Sequence, residues 1–348
     1  MKTEGTRDLE AGLKWPLRPT LTSLNGDQSW LFSFPRPTND GHNQYFYHIA
    51  FEPWLNGPTS DFSGWLAHLS LSQEPAIASG DAVQKTAAEI ERVAAELART
   101  NGSGVRTAHN KGIDEYNGPV DAIVILFDGP DHCHRATLET FDKRIPLVAS
   151  KEVAATVKAW DYFDNISTIH ELDLSAQTWQ ADKPHSSPLP PWLTTFKLSG
   201  EGFLNFVGVF IWSHTLDAGE QIHEAILESP HGTETLDSED SPIQSFLRMT
   251  PAITPLAILH GLKESFTTRW WRTTHGAEAG LKLYRKSGSK YWILSHDLEL
   301  EYRGLILRTM VYDIRRTLDW ALSREKGATE AQDVNFVDVG NGNSFALV

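Results

Sequence analysis

Hydrophobic and polar positions along this chain fall into blocks with two different periods. Residues 29–34 (SWLFSF) and 45–51 (YFYHIAF) are aromatic, strand-forming runs separated by the turn-prone stretch PRPTNDGHNQ, which predicts a hairpin with a long loop. The loop 52–58 (EPWLNGP) follows at once. Over 82–100 the spacing becomes helical: Val83, Ala87, Ile90, Ala94 and Leu97 recur at three- and four-residue steps as one apolar stripe. Ser79 or Asp81 can cap its start, and Asn101-Gly102 stops it. The nearly unbroken apolar run 120–127 (VDAIVILF) predicts a strand covered on both faces. A strand at 145–149, a helix at 151–160 and a strand at 166–172 continue a βαβ rhythm.

The second half has its own set. After a proline-rich loop at 183–191, residues 203–212 and 222–228 read as strands, and the acidic stretch 234–240 reads as a solvated loop. Further buried strands are expected at 256–262 and 291–294, with a helix at 276–286. A last amphipathic helix is expected at 312–324, with Ile314, Leu318 and Ala321 on one face. No internal repeat or low-complexity tract interrupts this order. Two sets of strands with helices between them fit a four-layer αβ/βα sandwich or a doubly wound sheet, and periodicity does not choose between them. The charged, proline-broken residues 1–19 read as an arm, 20–330 as a single domain and 331–348 as a tail.

Composition narrows the function classes. The chain has 348 residues, 40% of them hydrophobic, with 12 Trp, 8 Tyr and 16 Phe, which is enough to bury a sizeable core. Lys and Arg total 31 against 45 Asp and Glu, a formal charge of −14. That balance repels phosphate backbones and anionic lipid, so neither nucleic acid nor a membrane surface is the expected partner. The single cysteine, Cys133, cannot form an intramolecular disulfide, and the opening MKTEGTRDLEAG has no apolar signal core. Both point to a reducing, cytoplasmic setting. The longest apolar runs are too short to cross a bilayer.

The densest polar cluster is Asp128-Gly129-Pro130-Asp131-His132-Cys133-His134, just past the apolar run 120–127. Side chains converge in loops beyond strand C-termini, and a carboxylate, imidazoles and a thiol there can hold a divalent metal. A solvated loop whose Asp131 caps the next helix is an equally good account of it. Four more histidines, His214, His231, His260 and His296, each stand at or just past the end of an apolar strand-like run. Singly each reads as a loop histidine, but the recurrence marks a sheet rim where acid–base and metal chemistry collects. Of the tryptophans Trp54, Trp65, Trp160, Trp192, Trp212, Trp270, Trp271 and Trp292, most read as core. Trp54 and Trp212, with His134 and His214, are the expected lining of an apolar small-molecule pocket. Cys133 as a nucleophile is the weaker idea, since no cysteine-hydrolase signature surrounds it.

The order of hairpin, E-P-W-L-N-G-P loop, D-A-I-V-I-L strand, D-H-C-H loop, S-P-H-G and Y-W-I-L-S-H-D resembles the metallo-β-lactamase superfamily, in particular its fungal hydrolase-like branch. The resemblance spans about residues 24–304 and implies an αβ/βα sandwich with metal at the rim between the sheets. The family's H-x-H-x-D-H motif falls on Phe127, Asp128, Gly129, Pro130, Asp131 and His132. Asp131 and His132 match it, while Phe127 and Gly129 stand where the two leading histidines belong and cannot bind metal. The later bridging aspartate falls near His231 and the last histidine on His296. For the mid-chain histidine, His214 and His223 are both open. The resemblance therefore implies at most one zinc, on Asp131, His132, His231 and His296, or none, and these four residues are expected to converge.

A degenerate site of this kind points first to an enzyme of non-hydrolytic acid–base chemistry (elimination, isomerisation or cyclisation) in fungal-type secondary metabolism. In it His132, Asp131 and His296 would be the catalytic groups. A mononuclear zinc hydrolase of an ester, lactone or thioester is the second reading, and a non-catalytic ligand-binding descendant the third.

Overall fold

A computed structural model describes residues 13–38, 40–61, 67–102, 106, 116–169, 171–180, 188–200, 204–216, 218–233, 241–268, 270–304, 307–325 and 333–348. Most of the arm, Trp65, most of the proline-rich loop and the acidic stretch 234–240 lie outside the described residues.

In chain order the elements begin with β1 (Thr20–Ser23), β2 (Trp30–Pro35), β3 (Phe46–Phe51), β4 (Thr59–Asp61) and β5 (Ala67–Leu71). There follow α1 (Gly80–Thr100), β6 (Val120–Ile125), α2 (Arg135–Leu138), β7 (Leu147–Ala149), α3 (Lys151–Lys158) and β8 (Ile166–Thr168). Then come β9 (Leu193–Ser199), β10 (Phe206–Thr215), β11 (Gln221–Glu228), α4 (Pro242–Leu247), β12 (Thr254–His260), β13 (Glu264–Thr267) and β14 (Trp271–His275). The chain closes with α5 (Gly276–Ser287), β15 (Tyr291–Leu294), β16 (Leu300–Arg303), α6 (Leu307–Met310), β17 (Val311–Ile314), α7 (Leu318–Arg324), β18 (Phe336–Val337) and β19 (Ser344–Ala346).

These elements divide into two compact units, Met1–Gly57 with Gln73–Thr168 and Val339–Val348, and Pro58–Ser72 with Ile169–Asp338. The first unit has a seven-stranded sheet in the order β19-β1-β2-β3-β6-β7-β8. Strands β1, β2 and β3 are antiparallel, as the hairpin pattern requires, while β3, β6, β7 and β8 run parallel. A parallel step from β3 to β6 needs a long crossover, and α1 provides it. Ser79 caps α1 by accepting from the Ala82 N–H at 3.2 Å. The stripe Val83, Ala87, Ile90 and Ala94 is buried on Leu31, Ala50, Ile123 and Leu147 of the sheet. The parallel half leaves the C-terminal ends of β3 and β6 side by side, so the loops after Phe51 and Ile125 start as neighbours.

The second unit repeats the principle with a six-stranded sheet, β18-β15-β12-β11-β10-β9. Here β11, β12, β15 and β18 are parallel, and the core packs Val209, Ala225, Ile258 and Trp292 with Ala277, Leu281 and Tyr284 of α5. Two three-stranded sheets, β14-β13-β17 and β16-β5-β4, belong to the same unit.

One expectation is corrected. The final helix does not run over 312–324. Residues Val311–Ile314 are instead strand β17, with Tyr312 stacked on Phe266 of β13 at 5.1 Å, and the helix starts only after Thr317, whose hydroxyl accepts from the Trp320 N–H. Residues 333–348 carry β18 and β19, and β19 lies beside β1 in the register Thr20↔Ala346.

Candidate metal centre

The loop after β6 is a tight turn in which Gly129 O accepts from both the His132 and Cys133 N–H groups, at 3.0 and 2.7 Å. The turn drives His132 inward to full burial. Its Nδ1 lies 2.5 Å from Glu52 Oε2, and its Nε2 is 3.7 Å from Asp131 Oδ2. Glu52 is itself fully buried at the end of β3, with φ of 43°. Its Oε1 accepts from the Leu126 N–H at 3.0 Å, its carbonyl accepts from Ser29 Oγ at 2.8 Å, and its N–H donates to Val124 O. Both neighbouring strand ends thus hold this one carboxylate against the ring. Glu52 escaped the sequence reading, although it stands where the strand-end histidines stand, one residue past a buried run.

Phe127 and Gly129 are coupled. The Phe127 ring meets His132 edge-on at 5.1 Å, and a Cβ on Gly129 would lie 2.5 Å from Phe127 Cε1 and 2.8 Å from Asp131 Oδ1. Gly129 therefore has no room for a side chain beside the Phe127 ring. His134 is buried, with its Nδ1 on Thr137 Oγ1 at 2.9 Å and its ring 6.1 Å from that of Trp54. Those two are together, but Trp54 is fully buried with its indole N–H given to Gly57 O, so it is packed as core. Cys133 is buried too, and burial followed by the carboxylates of Asp128 and Glu52 pushes its thiol far up, which removes it as a thiolate nucleophile.

In the second unit, the parallel order β11-β12-β15 brings three strand-end histidines to one edge: His231, His260 and His296. The His231 and His296 rings stand perpendicular at 5.1 Å, both buried, with His296 held at φ of 55°. A non-glycine residue in that region marks a constraint imposed by its surroundings. One oxygen of the neighbouring Asp297, Oδ1, accepts from the Leu262 and Lys263 N–H groups at 2.7 and 2.6 Å. His260 gives its Nδ1–H to Gly261 O at 2.7 Å, and its Nε2 has no hydrogen-bond partner among the described residues. Burial lowers its pKa to about 4, so it is neutral at physiological pH.

His214 and Trp212 are stacked on each other at 3.7 Å, and His214 Nε2 bonds Glu224 Oε2 at 2.7 Å. Their register, His214↔Ile222 and Trp212↔Glu224, puts them toward the start of β11, whereas His231 follows its end. The seven residues from Ile222 to Glu228 span roughly 20 Å of strand. The structure therefore does not bring His214 and Trp212 to the edge that holds His231 and His296. His223 also lies near the start of β11, so neither mid-chain candidate reaches that edge, and His260 does.

No protein-family model matches this chain, and no curated protein matches it. Solved structures do. The chain is similar to isothiocyanate hydrolase from Delia radicum gut bacteria, with a TM-score of 0.53 and 15% identity over 94% of this chain and 99% of that one. A possible metal-dependent hydrolase from Veillonella parvula aligns with a TM-score of 0.48 and 11% identity, covering 95% of this chain and 99% of that one. Igni18, a metallo hydrolase from Ignicoccus hospitalis, aligns with a TM-score of 0.42 and 10% identity, covering 94% and 97%. The last two are too distant to add weight. The first shows the fold: α/β, of the metallo-β-lactamase-like αβ/βα sandwich type. Among the described residues no helix is long and apolar enough to cross a membrane.

Proposed function

We propose that this chain is a small-molecule hydrolase that works with one divalent metal ion, zinc by donor type, held by Asp131, His132, His231 and His296. One observation carries the reading. The Glu52 carboxylate sits 2.5 Å from His132 Nδ1, and both are fully buried. A carboxylate on one imidazole nitrogen fixes the tautomer, leaves the lone pair on Nε2 and strengthens it as a ligand, which is the arrangement that supports metal-binding histidines. The facing pair His231 and His296 offers two more imidazoles of the kind zinc prefers. The reading is for one ion, because Phe127 and Gly129 themselves carry no donor side chains. A bound ion supplies Lewis-acid activation of water at neutral pH. Around it, Glu52 would hold the His132 ring in place, with Asp131 Oδ2 3.7 Å from the same Nε2. The likeness to an isothiocyanate hydrolase supports hydrolysis as the reaction type, and an ester, lactone or thioester is the substrate class to screen.

The test is elemental analysis after zinc loading and dialysis, with His132→Ala and His231→Ala beside the wild type. One equivalent is expected in the wild type and less than about a tenth in either variant, because loss of one of so few protein ligands opens the site. Two equivalents in the wild type, or retention of zinc by either variant, sinks the shared one-ion site.

The Glu52–His132 pair also favours a second reading, a metal-free proton carrier for elimination, isomerisation or cyclisation in secondary metabolism. There His132→Ala would lower turnover by about 10²–10⁴-fold while the protein binds no metal.

A further inference from the structure

Around the start of α5, a cavity of about 240 Å³ is lined by Thr233, Arg272, His275, Glu278, Ala279 and Lys282, all of the second unit. It is a different place from the proposed ligands, although the His275 N–H donates to His231 O at 2.8 Å. A larger groove of about 750 Å³ shares its Glu278 and Lys282 walls and continues along α5 past Leu281, Arg285 and Lys286 to Arg324 of α7. Together the two spaces present five cations against two carboxylates. Three of the cations are ion-paired, Arg324 with Glu278 at 2.7 Å, Arg285 with Glu325 at 3.0 Å and Arg272 with Glu264 at 3.2 Å, and Lys282 and Lys286 add to them, so the walls keep an excess of positive charge. On a chain of formal charge −14, a cationic concavity runs against the general charge and marks a local function.

The details suit an oxoanion. Arg272 is braced by Glu264 at 3.2 Å, which holds its guanidinium in place, and Thr233 and His275 are buried polar groups in the same wall. His275 is the N-cap of the 12-residue α5, whose positive end lies beside Arg272 and Lys282, with the Ala277 N–H given to Leu262 O at 3.0 Å. Ala279 keeps the wall small, and the apolar faces of Leu281 and Ala321 in the groove suit an organic body behind an anionic head. We propose that this cavity binds the phosphate, sulfate or carboxylate group of a small organic anion, whose remainder lies along α5. The inference stands apart from the metal reading.

Calorimetry of the full chain tests it, with inorganic phosphate and phenyl phosphate as probes at low ionic strength. Saturable binding at one site is expected, with phenyl phosphate at least tenfold tighter. Lys282→Met should weaken phenyl phosphate at least tenfold, and Arg272→Gln should also weaken it. Lys143→Met, on an exposed ion pair of the first unit, should change nothing. Melting temperatures of the variants confirm that they are folded, and zinc content equal to wild type separates this site from the metal centre. Equal affinity for the two probes would overturn the organic ligand and leave a free-anion site. Absence of saturable binding, or a folded Lys282→Met that binds as wild type does, would overturn the site itself.

Discussion

Glu52 does the most with the fewest atoms. It ends one parallel strand, takes the first N–H beyond its neighbour and presses its other oxygen on His132. Glu52→Gln keeps the volume and replaces an anionic acceptor with a neutral amide. If His132 is a metal ligand, this change should weaken zinc binding by about 10–100-fold, the usual effect of losing a supporting carboxylate, as read by competition with a chromophoric chelator. An unchanged zinc affinity would make the pair purely structural. His132 was legible because its neighbours Asp131 and His134 mark a polar cluster after an apolar run. Glu52 was not, because it comes into play only when β3 and β6 lie parallel, a pairing between residues about 70 positions apart that no local pattern encodes.

Helix α1 shows how an element locks its sheet. Its apolar stripe is what the spacing predicted, but Glu91, on the same helix, reaches the start of β3. Its two oxygens accept from the Tyr45 and Phe46 N–H groups at 2.7 and 2.8 Å and from His48 Nε2 at 3.1 Å. Ser33 Oγ completes the chain on His48 Nδ1 at 2.9 Å. Serine, histidine and glutamate in line would suggest a nucleophile, yet Ser33 is 1% exposed and His48 is not exposed at all, so no substrate meets them. Their work is structural. Glu91→Ala strands two backbone donors and an imidazole, and should cost about 2–4 kcal/mol in urea unfolding. Little change would mean that water replaces the carboxylate. The failed helix at 312–324 teaches the converse: a stripe at helical spacing was overruled by β13, which offers Tyr312 a ring to stack on and a ladder to join.

At the scale of the whole molecule, the buried His223 contributes to the response to acid. Burial, and then the nearby His214, lower the pKa of His223, which is packed against Trp179 and bonded to Ser213 Oγ at 2.7 Å. The unfolded chain therefore binds a proton there at a pH where the folded chain does not. This contribution is fully present above about 6.5, the ordinary imidazole value, and is lost as pH falls below it toward the folded value. Unfolding free energy by urea should drop between pH 7 and 5, and a folded His223→Gln variant should show a shallower drop. A wild-type curve as flat as the variant's would remove His223 from the acid response. His223 lies near the opposite end of β11 from His231, so the measurement reads stability apart from metal chemistry.

Local pattern was enough for the α/β class, the strand runs, and the α1 stripe and cap, because each depends only on residue type and spacing of a few positions. It also marked the strand-end histidines without ranking them. Strand order did the ranking: β11, β12 and β15 run parallel and bring His231, His260 and His296 to one edge, while β10, antiparallel to β11, puts His214 and Trp212 toward the other end. Direction and order within a sheet follow from long-range pairing and crossover geometry, which leave no periodic trace in the chain. For the same reason the cationic cavity at α5, assembled from β14, α5 and the loop after β11, and the anchoring of residues 344–346 beside β1, became visible only in the folded structure.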